Sequence, residues 1–112
     1  MKEIKAFIRP GKVEKIVSAL QKADYHNLTI FVGEGTGSFL REDSFPSLEF
    51  HITDSEVVKI ELICKSEAVD DVIRIISEYG RTKESGDGLI YVSNIERMAK
   101  VKTGLDNSEE QT

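Results

Sequence analysis

The sequence predicts an α+β sandwich in which a four-stranded antiparallel sheet carries two helices on one face. Three features lead there: a repeated apolar spacing, period-two alternation ahead of each repeat, and a short strand-like run after each. Val13, Ile16, Val17 and Leu20 mark one face of a helix, and Val69, Val72, Ile73 and Ile76 repeat that spacing at an offset of 56 residues. Upstream, the alternating Ile4, Ala6 and Ile8 correspond to Ile60, Leu62 and Cys64 as inward positions of strands. Each half then regains a strand, at residues 28–32 and 89–92. Strand–helix–strand written twice, with a long loop between strands 2 and 3, is the ferredoxin-like βαββαβ order.

Two helices cover one sheet face, yet the opposite face also receives large apolar groups: Phe7 from the first strand, Phe31 from the second and Ile63 from the third. Apolar surface is worth roughly 25 cal/mol per Å² removed from water, so burial of this face against further copies of the chain is expected. The alternative is a monomer in which a tail or loop lies over those rings.

The pattern breaks between Gly33 and Val57. Gly33, Gly35 and Gly37 alternate, and the stretch from Ser38 to Ser47 has no sustained period. Connections of this length are usually functional or mobile. Leu48, Phe50 and Ile52 alternate with Glu49, His51 and Thr53, as a returning hairpin arm would, and these apolar groups with Phe39, Leu40 and Phe45 equally suit a docking surface for a partner protein.

The chain has 112 residues, the length of one domain, with 39% hydrophobic and 31% charged content. Residues 1–105 read as that domain, and 106–112 as a flexible acidic tail. A formal charge of -5 disfavours nucleic acid as a partner, because phosphate neutralisation needs a basic surface. The single cysteine, Cys64, has no internal disulfide partner, and neither a leader nor an apolar run long enough to cross a bilayer is seen. A cytoplasmic protein without direct membrane insertion is expected.

The last third carries the chemistry. Arg81-Thr82-Lys83-Glu84-Ser85-Gly86-Asp87-Gly88 runs into the apolar strand Leu89-Ile90-Tyr91-Val92, and the basic stretch Lys100-Val101-Lys102-Thr103-Gly104 comes soon after. Glycines let backbone N–H groups approach an anion closely, and lysines at i and i+2 of an extended segment point the same way. Together these parts suit a polyphosphate, so a nucleotide sensor is a candidate function.

These residues resemble the PII signal-transduction family, small trimeric ferredoxin-like proteins that bind adenine nucleotides between subunits and dock on targets through a long loop. The resemblance runs from Met1-Lys2-Glu3-Ile4 through Ile8-Arg9-Pro10-Gly11-Lys12, past the glycine-rich entrance to the long loop, to Lys102-Thr103-Gly104. Residues 82–88 are similar to the family's B-loop, and residues 36–56 to its T-loop. Carried over by position, the resemblance implies Gly86, Asp87 and Gly88 at the phosphates. It places Thr29, Gly35 and Gly37 near the base or ribose, with Ser38 beside them and Ile63 next to the adenine. Lys100 and Lys102 stand where the family has two arginines, keeping the charge without the planar fork. Phe39, Leu40, Phe45 and Phe50 would present the partner-binding loop.

Departures from the family's pattern narrow the expected function. The family's arginine after the second loop glycine is Ser38 here, its following glutamine is Phe39, the closing B-loop lysine is Leu89, and the loop-end lysine that clamps 2-oxoglutarate aligns with Val57. The resemblance therefore implies no 2-oxoglutarate sensing, and it makes AMP or ADP as fitting a ligand as ATP, since each charge-assisted hydrogen bond contributes about 1.5 to 3 kcal/mol. Tyr25, Tyr79 and Tyr91 are the tyrosines, and none matches the family's modifiable loop tyrosine. Divergent PII-like members respond to adenine nucleotides, and some to bicarbonate, and act on transporters or metabolic proteins. A non-enzymatic regulator with an unidentified target, such as a membrane transporter or a metabolic enzyme, is the expectation.

Three other functions fit the sequence less well. A trimeric ferredoxin-like metal-handling protein needs soft or imidazole ligands, and the chain offers Cys64, in phase with the inward strand positions, and the scattered His26 and His51. A weak phosphohydrolase would rest on Glu42 and Asp43 beside a bound nucleotide, without a nucleophile or base to support them. An amino-acid-binding regulatory domain of this topology would leave the lysine pair and glycine loop without purpose. Asp70 and Asp71 fall near a helix start, where acids favour the dipole, and Glu109 and Glu110 fall in the tail.

Overall fold

The computed structural model describes residues 1–36 and 55–104. Along the chain they form β1 (Lys2–Ile8), α1 (Val13–Lys22), β2 (Leu28–Gly35), β3 (Ser55–Cys64), α2 (Val69–Gly80) and β4 (Gly88–Asn94). The strands make one antiparallel sheet in the order β2-β3-β1-β4, the ferredoxin-like arrangement that the repeat predicts.

The offset of 56 is visible in the backbone. A 3-10 turn at Pro10–Lys12 leads into α1 and one at Ser66–Ala68 leads into α2, and Val13 and Val69 share φ -57° and ψ -50°. Ile4, Ala6 and Ile8 pair with Leu62, Ile60 and Val58 across the two central strands, so the alternating residues of both halves meet on one face. Ile16 and Leu20 of α1 and Val72, Ile75 and Ile76 of α2 close over them. Ile75 belongs to the core although the repeat does not single it out. The helix stripe is wider than the four-residue pattern suggests, as a surface helix needs to cover a sheet. Cys64 is buried in this core, and burial pushes its thiol above the ordinary 9.0.

The C-terminal ends of the two helices show how local chemistry shapes the connections. After α1, the Tyr25 amide donates to Leu20 O at 2.9 Å and the Asp24 amide to Gln21 O at 3.0 Å, a paired helix stop that requires Asp24 to take a left-handed φ of 72°. The Tyr25 hydroxyl then donates to Asp71 Oδ2 at 2.9 Å, tying this turn to the first turn of α2. His26 lies exposed in the same turn, with Nε2 3.2 Å from Asp24 Oδ1. At the end of α2, Gly80 lets the helices approach closely, since a Cβ there would stand 3.0 Å from Ile16 Cδ1.

The strands run further than the sequence indicates. Sequence alone starts the glycine-rich connection at Gly33, but β2 continues through Gly35, and β3 has already begun before Val57. Gly33 opposes Val57 and Gly35 opposes Ser55, because a ladder of backbone hydrogen bonds needs no side chain. The hairpin arm at Leu48, Phe50 and Ile52, the loop residues Gly37, Ser38, Phe39, Leu40 and Phe45, and the acidic tail lie outside the described residues.

The sheet face away from the helices carries Phe31, Ile63, Leu89 and Tyr91, each between 44% and 54% exposed, together with Phe7, whose ring lies 5.4 Å from that of Tyr91. Charged groups are interleaved with them. Lys59 stands over the Phe31 ring at 4.5 Å, and Lys5 reaches Glu3 at 3.0 Å and Glu61 at 3.8 Å. Among the described residues no helix is long and apolar enough to cross a membrane.

Candidate functional site

The glycine loop is built from the end of β1. Arg9 follows Ile8 and keeps only 9% of its surface exposed. Its Nε donates to Asp87 Oδ1 at 2.8 Å and its Nη2 to the carbonyl of Ser85 at 2.7 Å. Asp87 also accepts from the Thr82 amide through Oδ2 at 2.7 Å and from the Thr82 hydroxyl through Oδ1 at 2.6 Å. Thr82 Oγ1 in turn accepts from the Glu84 amide at 3.1 Å. Burial works against the charge on Asp87, yet the Thr82 hydroxyl and amide and the Arg9 guanidinium hold its carboxyl below the ordinary 3.8.

That arrangement consumes acceptors and spares donors. The amides of Ser85, Gly86 and Asp87 donate to no described residue, and Gly86 adopts φ 85°. Successive unpaired N–H groups around a left-handed residue form a concavity suited to an anion. Gly88, at φ 117°, brings β4 against β1 so tightly that a Cβ would sit 1.7 Å from Phe7 O.

Gly86, Asp87 and Gly88, which the sequence singles out, are thus brought together, but the Asp87 carboxylate faces Arg9 and Thr82. Sequence reasoning misses Arg9, Thr82 and Ser85 as site residues. The one signal for Arg9 is its place: a cation directly after the inward series Ile4, Ala6, Ile8 and before Pro10, where a buried strand ends.

The basic stretch differs from the expected extended segment with two lysines aligned. Residues 100–104 form a closed turn, with the Gly104 amide donating to Lys100 O at 2.8 Å and Gly104 at φ 62°. A left-handed glycine reverses the chain there, so the period-two rule does not apply, and the two lysines part company. Lys102 is exposed, whereas Lys100 Nζ is buried and finds no hydrogen-bond partner among the described residues. An amine with three donors and no acceptor, withdrawn from water, is a place for an anion.

The other described residues singled out by the sequence lie away from the glycine loop within one chain. Ile8 opposes Gly88 and Lys2 opposes Asn94, so the glycine loop enters β4 at one end of the sheet, and the chain that leads on to the basic stretch leaves β4 at the other end, roughly 20 Å along the strand. Gly35 sits at the loop's end of the sheet but on β2, the opposite edge, about three strand spacings or roughly 14 Å across. Thr29, opposite Glu61 on the edge strand β2, is exposed, and Ile63 of β3 is half exposed; lying two residues beyond Glu61 on the same outward face, Ile63 is the diagonal neighbour of Thr29. Among the described residues no three of His, Cys, Asp and Glu gather as metal ligands.

A ferredoxin-like sheet, a glycine loop whose amides at residues 85–87 donate to no described residue, and a buried lysine amine without an acceptor among the described residues define a small α+β domain with candidate anion contacts. Comparison with known proteins is more specific: the family described as nitrogen regulatory protein P-II matches residues 1–105. The chain is 34% identical over 105 residues to nitrogen regulatory protein P-II 2 of Methanothermobacter thermautotrophicus, covering 93% of this chain and 91% of the relative. It is 36% identical to the nitrogen fixation nifHD region GlnB-like protein 1 of Methanobacterium ivanovii, over 92% and 95% of the two chains. With nitrogen regulatory protein P-II of Mesorhizobium japonicum it shares 33% identity over 93% and 94%. The chain belongs to the P-II family, and it is a signal-transduction regulator.

Proposed function

We propose that the chain binds an adenine nucleotide, AMP, ADP or ATP, in clefts between the subunits of a homotrimer, and that occupancy regulates a partner protein through residues 36–56. The observation that carries this reading is the buried Lys100 amine without an acceptor among the described residues, in a chain whose loop at residues 85–87 offers unpaired amides. These two parts start from opposite ends of one sheet, so a neighbouring copy supplies the simplest way to bring them to one phosphate chain. The exposed face of Phe31, Ile63, Leu89 and Tyr91 supports the same association, because that much apolar surface favours burial. The regulated partner is a transporter or metabolic enzyme, and the site has no role for 2-oxoglutarate; bicarbonate is a candidate second effector. A nucleotide acts here by population shift, binding more tightly to one arrangement of the long loop than to another.

Calorimetric titration with AMP, ADP, ATP, cyclic AMP and bicarbonate, paired with a sizing measurement, tests the proposal. At least one adenine nucleotide is expected to bind a trimer, and Lys100→Ala to weaken it about 10-fold or more, the equivalent of one lost charge-assisted hydrogen bond. A monomer whose calorimetric and thermal behaviour ignores every adenylate would refute it.

A further inference from the structure

Arg9 is a charged residue buried at the edge of the core, and both nitrogens that it uses point to the glycine loop. We propose that Arg9 is the positioning residue of the phosphate site: it sets which way the loop's peptide groups face, without itself touching the ligand. This rests on the nucleotide reading above and deepens it.

Peptide planarity supplies the physical reason. The C=O and N–H of one trans peptide point in opposite directions. Arg9 Nη2 draws the Ser85 carbonyl inward at 2.7 Å, so the N–H of the same peptide, that of Gly86, is turned away from Arg9. The left-handed φ of Gly86 then brings the Asp87 amide into the same concavity. The second donor, Nε, holds Asp87 Oδ1 at 2.8 Å. With its carboxylate pinned between Arg9 and Thr82, Asp87 presents its amide and withholds its negative charge from an incoming phosphate. A carboxylate released from that clamp would stand beside three anion-seeking amides and compete for them, as an internal anion. Arg9 therefore acts twice, orienting donors and removing a competitor.

A guanidinium is suited to this because its fork reaches a side-chain and a main-chain acceptor at once, and because it stays protonated when buried. Lysine offers a point charge and cannot reproduce both bonds in that plane. Methionine keeps the packing volume and offers no donor.

The consequence is a phosphate-specific effect. In Arg9→Met, ADP affinity is expected to fall about 10-fold, while adenosine, which lacks phosphates, binds within about twofold of the unchanged chain. Arg9→Lys should fall between, with a loss of about threefold for ADP. Titration calorimetry on the full chain, with sizing to verify the assembly, gives these numbers. A merely structural role would lower the melting temperature and weaken adenosine and ADP alike, and that result overturns the proposal, as does unchanged ADP affinity in Arg9→Met. If Arg9→Met does not fold, Arg9→Lys decides on the same ADP-to-adenosine ratio, and an unaltered ratio rejects the positioning role. Failure of the parent reading looks different: the unchanged chain then binds neither adenosine nor ADP, and both inferences fall together.

Discussion

The two halves of the chain are near copies up to the ends of their helices and diverge in the connections beyond. From β1 through α1 and from β3 through α2, the strand, 3-10 turn and helix recur in step. After α1, residues 23–27 form a tight helix stop with Asp24 in the left-handed region, and β2 begins at once. After α2, residues 81–87 form a longer loop that is held by Arg9 of the other half. The first connection is closed by bonds to the helix that precedes it; the second is gripped by Arg9 from the other half, and its amides at residues 85–87 donate to no described residue. The repeat builds the frame, and the departure from the repeat carries the candidate site.

The sharpest way to break this contrast is at the point where the second connection enters its strand. Gly88→Ala should destabilise the fold by at least about 3 kcal/mol, because a Cβ at φ 117° meets Phe7 O at 1.7 Å. Gly11→Ala, where nothing stands within 4 Å, should stay within about 0.5 kcal/mol. Denaturant unfolding of both variants decides, and comparable stabilities would contradict the strain assigned to Gly88.

The next effect is that of pH on the loop clamp. Asp87 has a folded pKa below its unfolded value, so the unfolded state binds more protons as acid is added, and stability is lost. The contribution is complete above the ordinary value of 3.8 and disappears as pH falls through the lowered folded one. Asp87→Asn should therefore be less stable than the unaltered chain at neutral pH, with the gap closing as the pH falls below the ordinary carboxylate range. A gap that is constant across that range in urea unfolding would argue against the clamp.

Tyr25→Phe tests the first connection. Losing the hydroxyl's bond to Asp71 should cost about 1 kcal/mol in denaturant unfolding and leave nucleotide affinity unaltered, since this turn belongs to the frame. A change in ADP affinity comparable with that of Arg9→Met would erase the distinction between the halves. The smallest effect is expected at Asp24→Gly, where relief of a left-handed φ of 72° should raise stability by a few tenths of a kcal/mol, about the size of a cap adjustment. A clear loss would mean that the aspartate's contact with His26 outweighs the backbone effect.

Most of the fold is legible in the sequence because its signals are local. Ile4, Ala6 and Ile8 announce a strand by alternation, and Ile16, Leu20, Val72 and Ile76 announce helices by period, all of them buried as that pattern requires. The glycine loop is legible as a turn for the same reason, and its left-handed Gly86 and Gly88 agree with it. The site's supporting groups are not. Nothing in the neighbourhood of Arg9 reveals that it reaches a carbonyl at Ser85, 76 positions away, or that Asp87 spends its carboxylate on it. The lysine couple reads as extended, and the structure corrects this because a left-handed Gly104 ends the alternation rule where it bridges back to Lys100.

By itself, then, the order of residues determined the elements, their faces and the repeat, since alternation and helical period act between neighbours along the chain. Only the folded arrangement decided that Asp87 spends its carboxylate on Arg9 and Thr82, which lysine amine is buried, and that Gly35 and Gly86 stand at opposite edges of the sheet. Those outcomes depend on pairings across the sheet, and a hydrogen bond between distant positions leaves no periodic trace.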